Sequence, residues 1–91
     1  MNKKMDSPFT ALLPHLDLHG ETRESAIFLV NSFIKDNYLM QNKRVVIIHG
    51  RSGKVLKNAT LETLKHNKYV IKYEIDMLND GQTIVDIKER K

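Results

Sequence analysis

Chemistry in this 91-residue chain concentrates in two short stretches, Asp17-Leu18-His19-Gly20 and His49-Gly50-Arg51-Ser52-Gly53. Imidazole is the side chain best suited to exchanging protons near neutral pH, so His19 and His49 are candidate general acid and base. Asp17 stands two residues before His19, which on an extended strand puts both side chains on one face. There its carboxylate can orient the imidazole, or the two can hold a divalent metal. The second stretch has the parts of a phosphate clamp. Gly50 and Gly53 let backbone approach a ligand closely. Arg51 can grip a phosphate with paired N–H donors. Ser52, Gly53 and Lys54 lead into a helix whose free first amides attract anions, and Lys54 and Lys57 add positive charge.

Each of these features also has a plainer reading. Glycine is common in strand-to-helix connections, and a strand-end histidine commonly serves as a hydrogen-bonding structural residue. Asp17 can cap the loop Gly20-Glu21-Thr22, and His15 can pack against the arm before it. His66 suits the negative end of a helix and is assigned no function. Tyr69 and Tyr73 can stack on bases or pack in a sheet. His15, Asp17, His19 and His49 lack tight metal-ligand spacing, so no metal site is assigned.

The elements that must carry these stretches follow from periodicity. Leu16 to His19 alternates apolar and polar residues, a first strand broken by Gly20. Thr22 suits a helix N-cap, with Glu24 in the first turn. Ala26, Ile27, Val30, Phe33, Ile34 and Tyr38 recur at helical spacing over about 23–41, with Phe28 and Leu29 widening the stripe. Arg44 to His49 is a β-branched run, as in a central strand covered on both faces. After the Gly50–Gly53 turn, residues 54–67 read as a second helix with Leu56, Ala59 and Leu64 inward. Tyr69 to Asp76 alternates again. Asn79-Asp80-Gly81-Gln82 carries a hairpin-turn signal before a last strand, Thr83 to Lys88.

The order βαβαββ implies a two-layer α/β sandwich, a four-stranded mixed sheet with two helices on one face. Residues 1–14 form an N-terminal arm and 15–91 the domain. The charged start is expected to fray. Phe9, Leu12 and Leu13 are expected to pack on the domain, where the second sheet face lacks a cover. Because strands 1 and 2 run parallel, both histidine–glycine pairs emerge at one sheet edge, where open α/β sheets hold their ligands.

Composition narrows the function classes. The chain is 41% hydrophobic and 29% charged, as expected of one small globular domain. It has no cysteine, which excludes disulfide scaffolds, zinc fingers, iron–sulfur sites and thiol catalysis. No apolar run approaches the ~18 residues of a transmembrane helix, and no secretory signal is read at the start, so a cytoplasmic location is expected. The net charge of +4 is unevenly spread: residues 41–72 hold +7, against −1 before and −2 after. Such a block points to a polyanionic partner, or to a solvated helix face.

Leu16-Asp17-Leu18-His19-Gly20 followed by Val46-Ile47-Ile48-His49-Gly50-Arg51 resembles the two motifs of the Smr (small MutS-related) domain, L-D-L-H-G and H-G-x-G. The resemblance spans residues 15–88. Ser52 stands where the second motif ends in glycine, and Asn79–Thr83 has one glycine where many relatives have G-x-G-x-T. The resemblance implies a fold similar to the C-terminal domain of translation initiation factor 3, with the fourth strand between strands 2 and 3. It implies nucleic-acid binding and nicking, with Asp17 and His19 as the catalytic pair and His49, Gly50 and Arg51 in the second motif.

The function expected is therefore a nucleic-acid-binding domain with endonuclease activity on RNA or structured DNA, with no membrane partner. Asp17, His19 and His49 are the catalytic candidates. Gly50, Arg51, Ser52, Gly53, Lys54 and Lys57 are the phosphate-binding candidates. No cofactor is required by these residues, and a divalent metal is the one that could serve them. The alternative is a non-catalytic RNA- or DNA-binding module, including a ribosome-associated one. A third reading is protein docking through the uncovered sheet face.

Overall fold

A computed structural model describes residues 8–91, with side chains from Thr10 onward. The elements, in chain order, are α1 (Pro8–Ala11), β1 (His15–Asp17), α2 (Arg23–Leu39), β2 (Arg44–Ile48), α3 (Val55–Lys65), β3 (Val70–Asp76) and β4 (Asn79–Ile87). The sheet order is β1-β2-β4-β3. β1 and β2 are parallel, and β4 runs antiparallel to both β2 and β3. The fourth strand thus lies between the second and third.

Alternation along β2 explains its central place. Val45 and Ile47 point to the helices and join the core with Leu18, Ala26, Val30, Ile34, Leu64, Val85 and Ile87. Val46, on the opposite side, is also fully buried. Truncating one such side chain, Ile47→Ala for example, removes buried apolar contact at a cost of about 2–5 kcal/mol. α2 begins with a capping box in which the Thr22 side chain accepts from the Ser25 amide and the Ser25 hydroxyl accepts from the Thr22 amide. It presents Ala26, Val30 and Ile34 to the sheet, while Phe28 faces outward and does not widen the buried stripe. α3 buries Ala59, Thr60 and Leu64.

Three local expectations are corrected. The β3–β4 hairpin turns at Met77-Leu78, not at Asn79–Gln82. A carboxylate closes this turn: Asp76 Oδ1 accepts from the Leu78 amide and Oδ2 from the Gln82 side chain, at 2.9 and 2.8 Å. Residues 79–82 instead belong to β4, where the register jumps from Ile75↔Thr83 to Asp76↔Asn79. The bulged segment pairs with the end of β2, Gln82 opposite Ile48. The first strand is also shorter than its sequence alternation suggests. Leu18 lies beyond it, yet donates its amide to the Ile48 carbonyl at 2.9 Å.

The arm is the third. Residues 8–11 form one helical turn, and Leu12 is 91% exposed rather than packed. Leu13 is half-buried beside a groove of about 520 Å³ on the helix-free sheet face. The frayed start and the packing of Phe9 fall outside the described residues. His15 contacts the arm as expected, its Nδ1 bonding the Leu13 carbonyl. Tyr69 stacks on Tyr38 with ring centroids 4.3 Å apart, and both pack on the core with Tyr73. Among the described residues no helix is long and apolar enough to cross a membrane.

Candidate nucleic-acid interface

Leu18 is the anchor of the first half of the site. It is fully buried, so its neighbours Asp17 and His19 must leave on the other side, and both are exposed. The chain then turns sharply: the Leu18 carbonyl accepts from the Glu21 amide at 3.0 Å, and Gly20 sits at φ +81°. That left-handed backbone suits glycine. Asp17 Oδ1 accepts from the His19 amide at 2.9 Å. Asp17 therefore orients His19 through its backbone, and no contact joins the carboxylate to the imidazole.

The second half forms where β2 ends. The amides of His49 and Gly50 both donate to the Gly81 carbonyl, at 2.9 and 2.8 Å. Gly50 at φ +89° and Gly53 at φ +73° then swing the chain toward α3. Lys54 is the N-cap of α3, and no side chain caps the first turn. Its first amides and the positive end of the helix dipole are left for an anion. Arg51 is exposed and paired with Asp80, Nε to Oδ1 3.1 Å.

These halves meet. Asp17, His19, Gly20, Ile48, His49, Gly50, Ser52 and Leu56 line one cleft of about 330 Å³. Arg51, Gly53 and Lys54 are exposed on the same loop but outside the lining. Lys57 is half-buried and close enough for its charge to act on His49.

His49 differs from His19 in its surroundings. It is only 5% exposed, with Nε2 2.8 Å from the Thr83 hydroxyl and Nδ1 3.2 Å from the Gly50 carbonyl. Burial, and then the charge of Lys57, push its pKa below the ordinary histidine value, against the opposing pull of the Gly50 carbonyl and Asp80. Both ring nitrogens are thus engaged within the protein. Both histidines line the cleft; the His19 imidazole is exposed there, whereas that of His49 has both nitrogens bonded within the protein.

The basic block is partly neutralised by folding. Lys43 pairs with Glu89, Arg44 with Asp86 and Arg51 with Asp80, so the acidic last stretch folds back on it. Among the described residues Lys54, Lys57, Lys65, Lys68 and Lys72 have no carboxylate partner. Lys54 and Lys57 are the two of these beside the cleft. No group of three or more acidic or histidine side chains suited to a metal ion occurs among the described residues. Asp17 and His19 offer two donors, one carboxylate oxygen already holding an amide, too few to hold a metal ion on their own. The sequence marks Asn79–Thr83 as a turn and as the counterpart of the family's G-x-G-x-T stretch but gives Asp80, Gly81 and Thr83 no site role, because the Asp-Gly dipeptide signals a turn locally while its partner, the end of β2, is distant in sequence.

The Smr domain pattern matches residues 16–88. An endonuclease MutS2 of Caldanaerobacter subterraneus subsp. tengcongensis is 35% identical over 83 residues, which cover 88% of this chain and 10% of that protein. An endonuclease MutS2 of a Geobacillus species is 38% identical over 76 residues, covering 84% and 10%. The chain spans about a tenth of the length of these relatives. Among solved structures, the Smr domain of Thermus thermophilus MutS2 superposes with a TM-score of 0.80 at 22% identity, covering 84% of this chain and 99% of that one. YdaL, a stand-alone small MutS-related protein from Escherichia coli, gives 0.78 at 20% identity, covering 82% and 64%. Fold, motif order and matched length agree, and the chain belongs to the Smr domain family.

Proposed function

We propose that this chain binds nucleic acid at the cleft between the ends of β1 and β2 and cleaves a phosphodiester there. The observation that carries the reading is the one cleft shared by Asp17, His19, Gly50 and Ser52, beside an uncapped helix start. The names of the MutS2 relatives, which are endonucleases, support it.

In this reading the phosphate lies against Ser52 and the first amides of α3, with Arg51 and Lys54 balancing its charge. His19 withdraws the proton from the attacking oxygen, a water or a ribose 2′-hydroxyl, as the new P–O bond forms. The leaving oxygen departs as its own P–O bond breaks and takes a proton from solvent at the open side of the cleft. Asp17 holds His19 in place through the backbone. His49 lines the cleft and shapes the loop through its own hydrogen bonds, and exchanges no proton with the substrate.

The engagement of both His49 ring nitrogens within the protein favours a second reading, in which the same surface binds RNA or DNA without cutting it. One experiment separates the two. Purified protein is incubated with labelled single-stranded RNA and with supercoiled plasmid, with and without divalent metal, beside His19→Ala. Cleavage that is lost in His19→Ala while binding is retained supports the nuclease. Binding without cleavage under every condition selects the binding module. In either reading affinity falls with salt, and Arg51→Ala and Lys54→Ala each lower the salt slope by about 1. Binding that ignores salt removes both.

A further inference from the structure

We infer that Thr83 is a positioning residue for the cleft, acting through His49: its hydroxyl holds the imidazole in place, and the ring in turn holds the Gly50 carbonyl and so sets the loop facing the substrate. The inference rests on the reading of the cleft as the nucleic-acid site. A carbonyl oxygen can only accept a hydrogen bond. The Gly50 carbonyl stands 3.2 Å from His49 Nδ1, so Nδ1 must carry the proton. In a neutral imidazole Nε2 is then an acceptor, and its partner at 2.8 Å, the Thr83 hydroxyl, must donate.

Thr83 is fully exposed to none of the solvent, at 0% accessibility, and His49 retains 5%, so water offers little replacement for either bond. An unmet nitrogen there carries the cost of a buried polar group. In the neutral ring only one proton arrangement satisfies the whole chain from Thr83 through His49 to Gly50. Gly50 is the residue that needs this help. At φ +89° its backbone is held from both sides, by its amide on the Gly81 carbonyl and by its own carbonyl on His49. Arg51 and Ser52 follow directly. Thr83 and Gly81 belong to the same bulged stretch of β4, which makes that stretch a template for the clamp.

The test compares Thr83→Val, which keeps the shape and removes the hydroxyl, with Thr83→Ser, which keeps the hydroxyl. Nitrogen-15 shifts of the imidazoles report the tautomer. The expected result is a proton on His49 Nδ1 in the wild type and in Thr83→Ser, and in Thr83→Val a changed Nε2 shift, from loss of the hydrogen bond it accepts, with displaced Gly50 and Arg51 amide resonances. Cleavage by Thr83→Val is expected to fall about tenfold to a hundredfold, as for a displaced reacting group, with recovery in Thr83→Ser. If the chain only binds, the same pattern is expected in affinity. A proton on His49 Nε2 in the wild type overturns the inference, as does a Thr83→Val protein whose Gly50 resonance and activity match the wild type. If Thr83→Val does not fold, the wild-type tautomer and the Thr83→Ser comparison decide. Absence of any nucleic-acid binding would sink the reading of the cleft, while the tautomer would still decide the Thr83–His49–Gly50 linkage.

Discussion

Arg51 and Asp80 form an ion pair across two elements, the loop after β2 and the bulge of β4, with Nε and Oδ1 3.1 Å apart. The guanidinium best placed to grip a phosphate beside the cleft is therefore already engaged by a carboxylate. A phosphate must displace Asp80 or share the fork with it. Both side chains are more than half exposed, so the pair is a weak hold, worth about 0.2–1 kcal/mol once screened by solvent.

Removing the Asp80 charge is accordingly expected to tighten nucleic-acid binding. Asp80→Asn should raise affinity by up to about fivefold at low salt, with the gain fading as salt rises. Fluorescence anisotropy with a labelled oligonucleotide measures it. A fall in affinity would mean that Asp80 orients Arg51 for the phosphate rather than competing for it.

Gly81 is tightly enclosed. A Cβ built there would lie 3.1 Å from Arg51 Cγ, 3.2 Å from Asn79 Oδ1 and 3.3 Å from the Gly50 carbonyl carbon. The arginine stem can move, but the Gly50 backbone is held by its bonds to Gly81 and His49. Gly81→Ala is expected to cost about 1 kcal/mol or more by overpacking, and to weaken nucleic-acid binding as the loop shifts. Urea unfolding and the anisotropy titration read the two effects. A variant as stable as the wild type, with unchanged binding, would show that the loop is not templated by β4.

The buried imidazole of His49 links stability to pH. Its folded-state pKa is lowered, chiefly by burial, from the ordinary value of 6.5. Below that value the unfolded chain takes up a proton that the folded histidine refuses. The contribution is complete above 6.5 and is lost as pH falls toward the lowered folded value. Urea midpoints of the wild type should fall more steeply between about pH 7.5 and pH 5.5 than those of His49→Gln, the other histidines being common to both. Equal slopes would contradict the assignment.

How far the sequence could be read is clearest at these same residues. Leu18 between Asp17 and His19 follows from alternation alone, because a buried strand residue forces its neighbours outward. The β-branched run of β2 and the Thr22 cap are likewise local signals, and they place both histidine–glycine pairs at one edge. Gly81 shows the limit. Asp-Gly is a local turn cue, but the hairpin closes earlier, where Asp76 accepts from the Leu78 amide, and Gly81 serves the loop at Gly50. That pairing is set by the insertion of β4 between β2 and β3, a long-range choice without a local trace. The burial of His49 against Thr83, and the folding of Asp80, Asp86 and Glu89 onto the basic block, depend on the same choice.

The most direct measurement of the central claim is where nucleic acid touches the protein. Amide and imidazole resonances are followed while a short unlabelled RNA or DNA oligonucleotide is added to nitrogen-15-labelled protein. The largest shifts are expected at His19, Gly20, Gly50, Ser52, Gly53 and Val55, with the Tyr38–Tyr69 end of the domain unmoved. Shifts centred on that far end, or on the helix-free sheet face around Leu13 and Ile84, would contradict it.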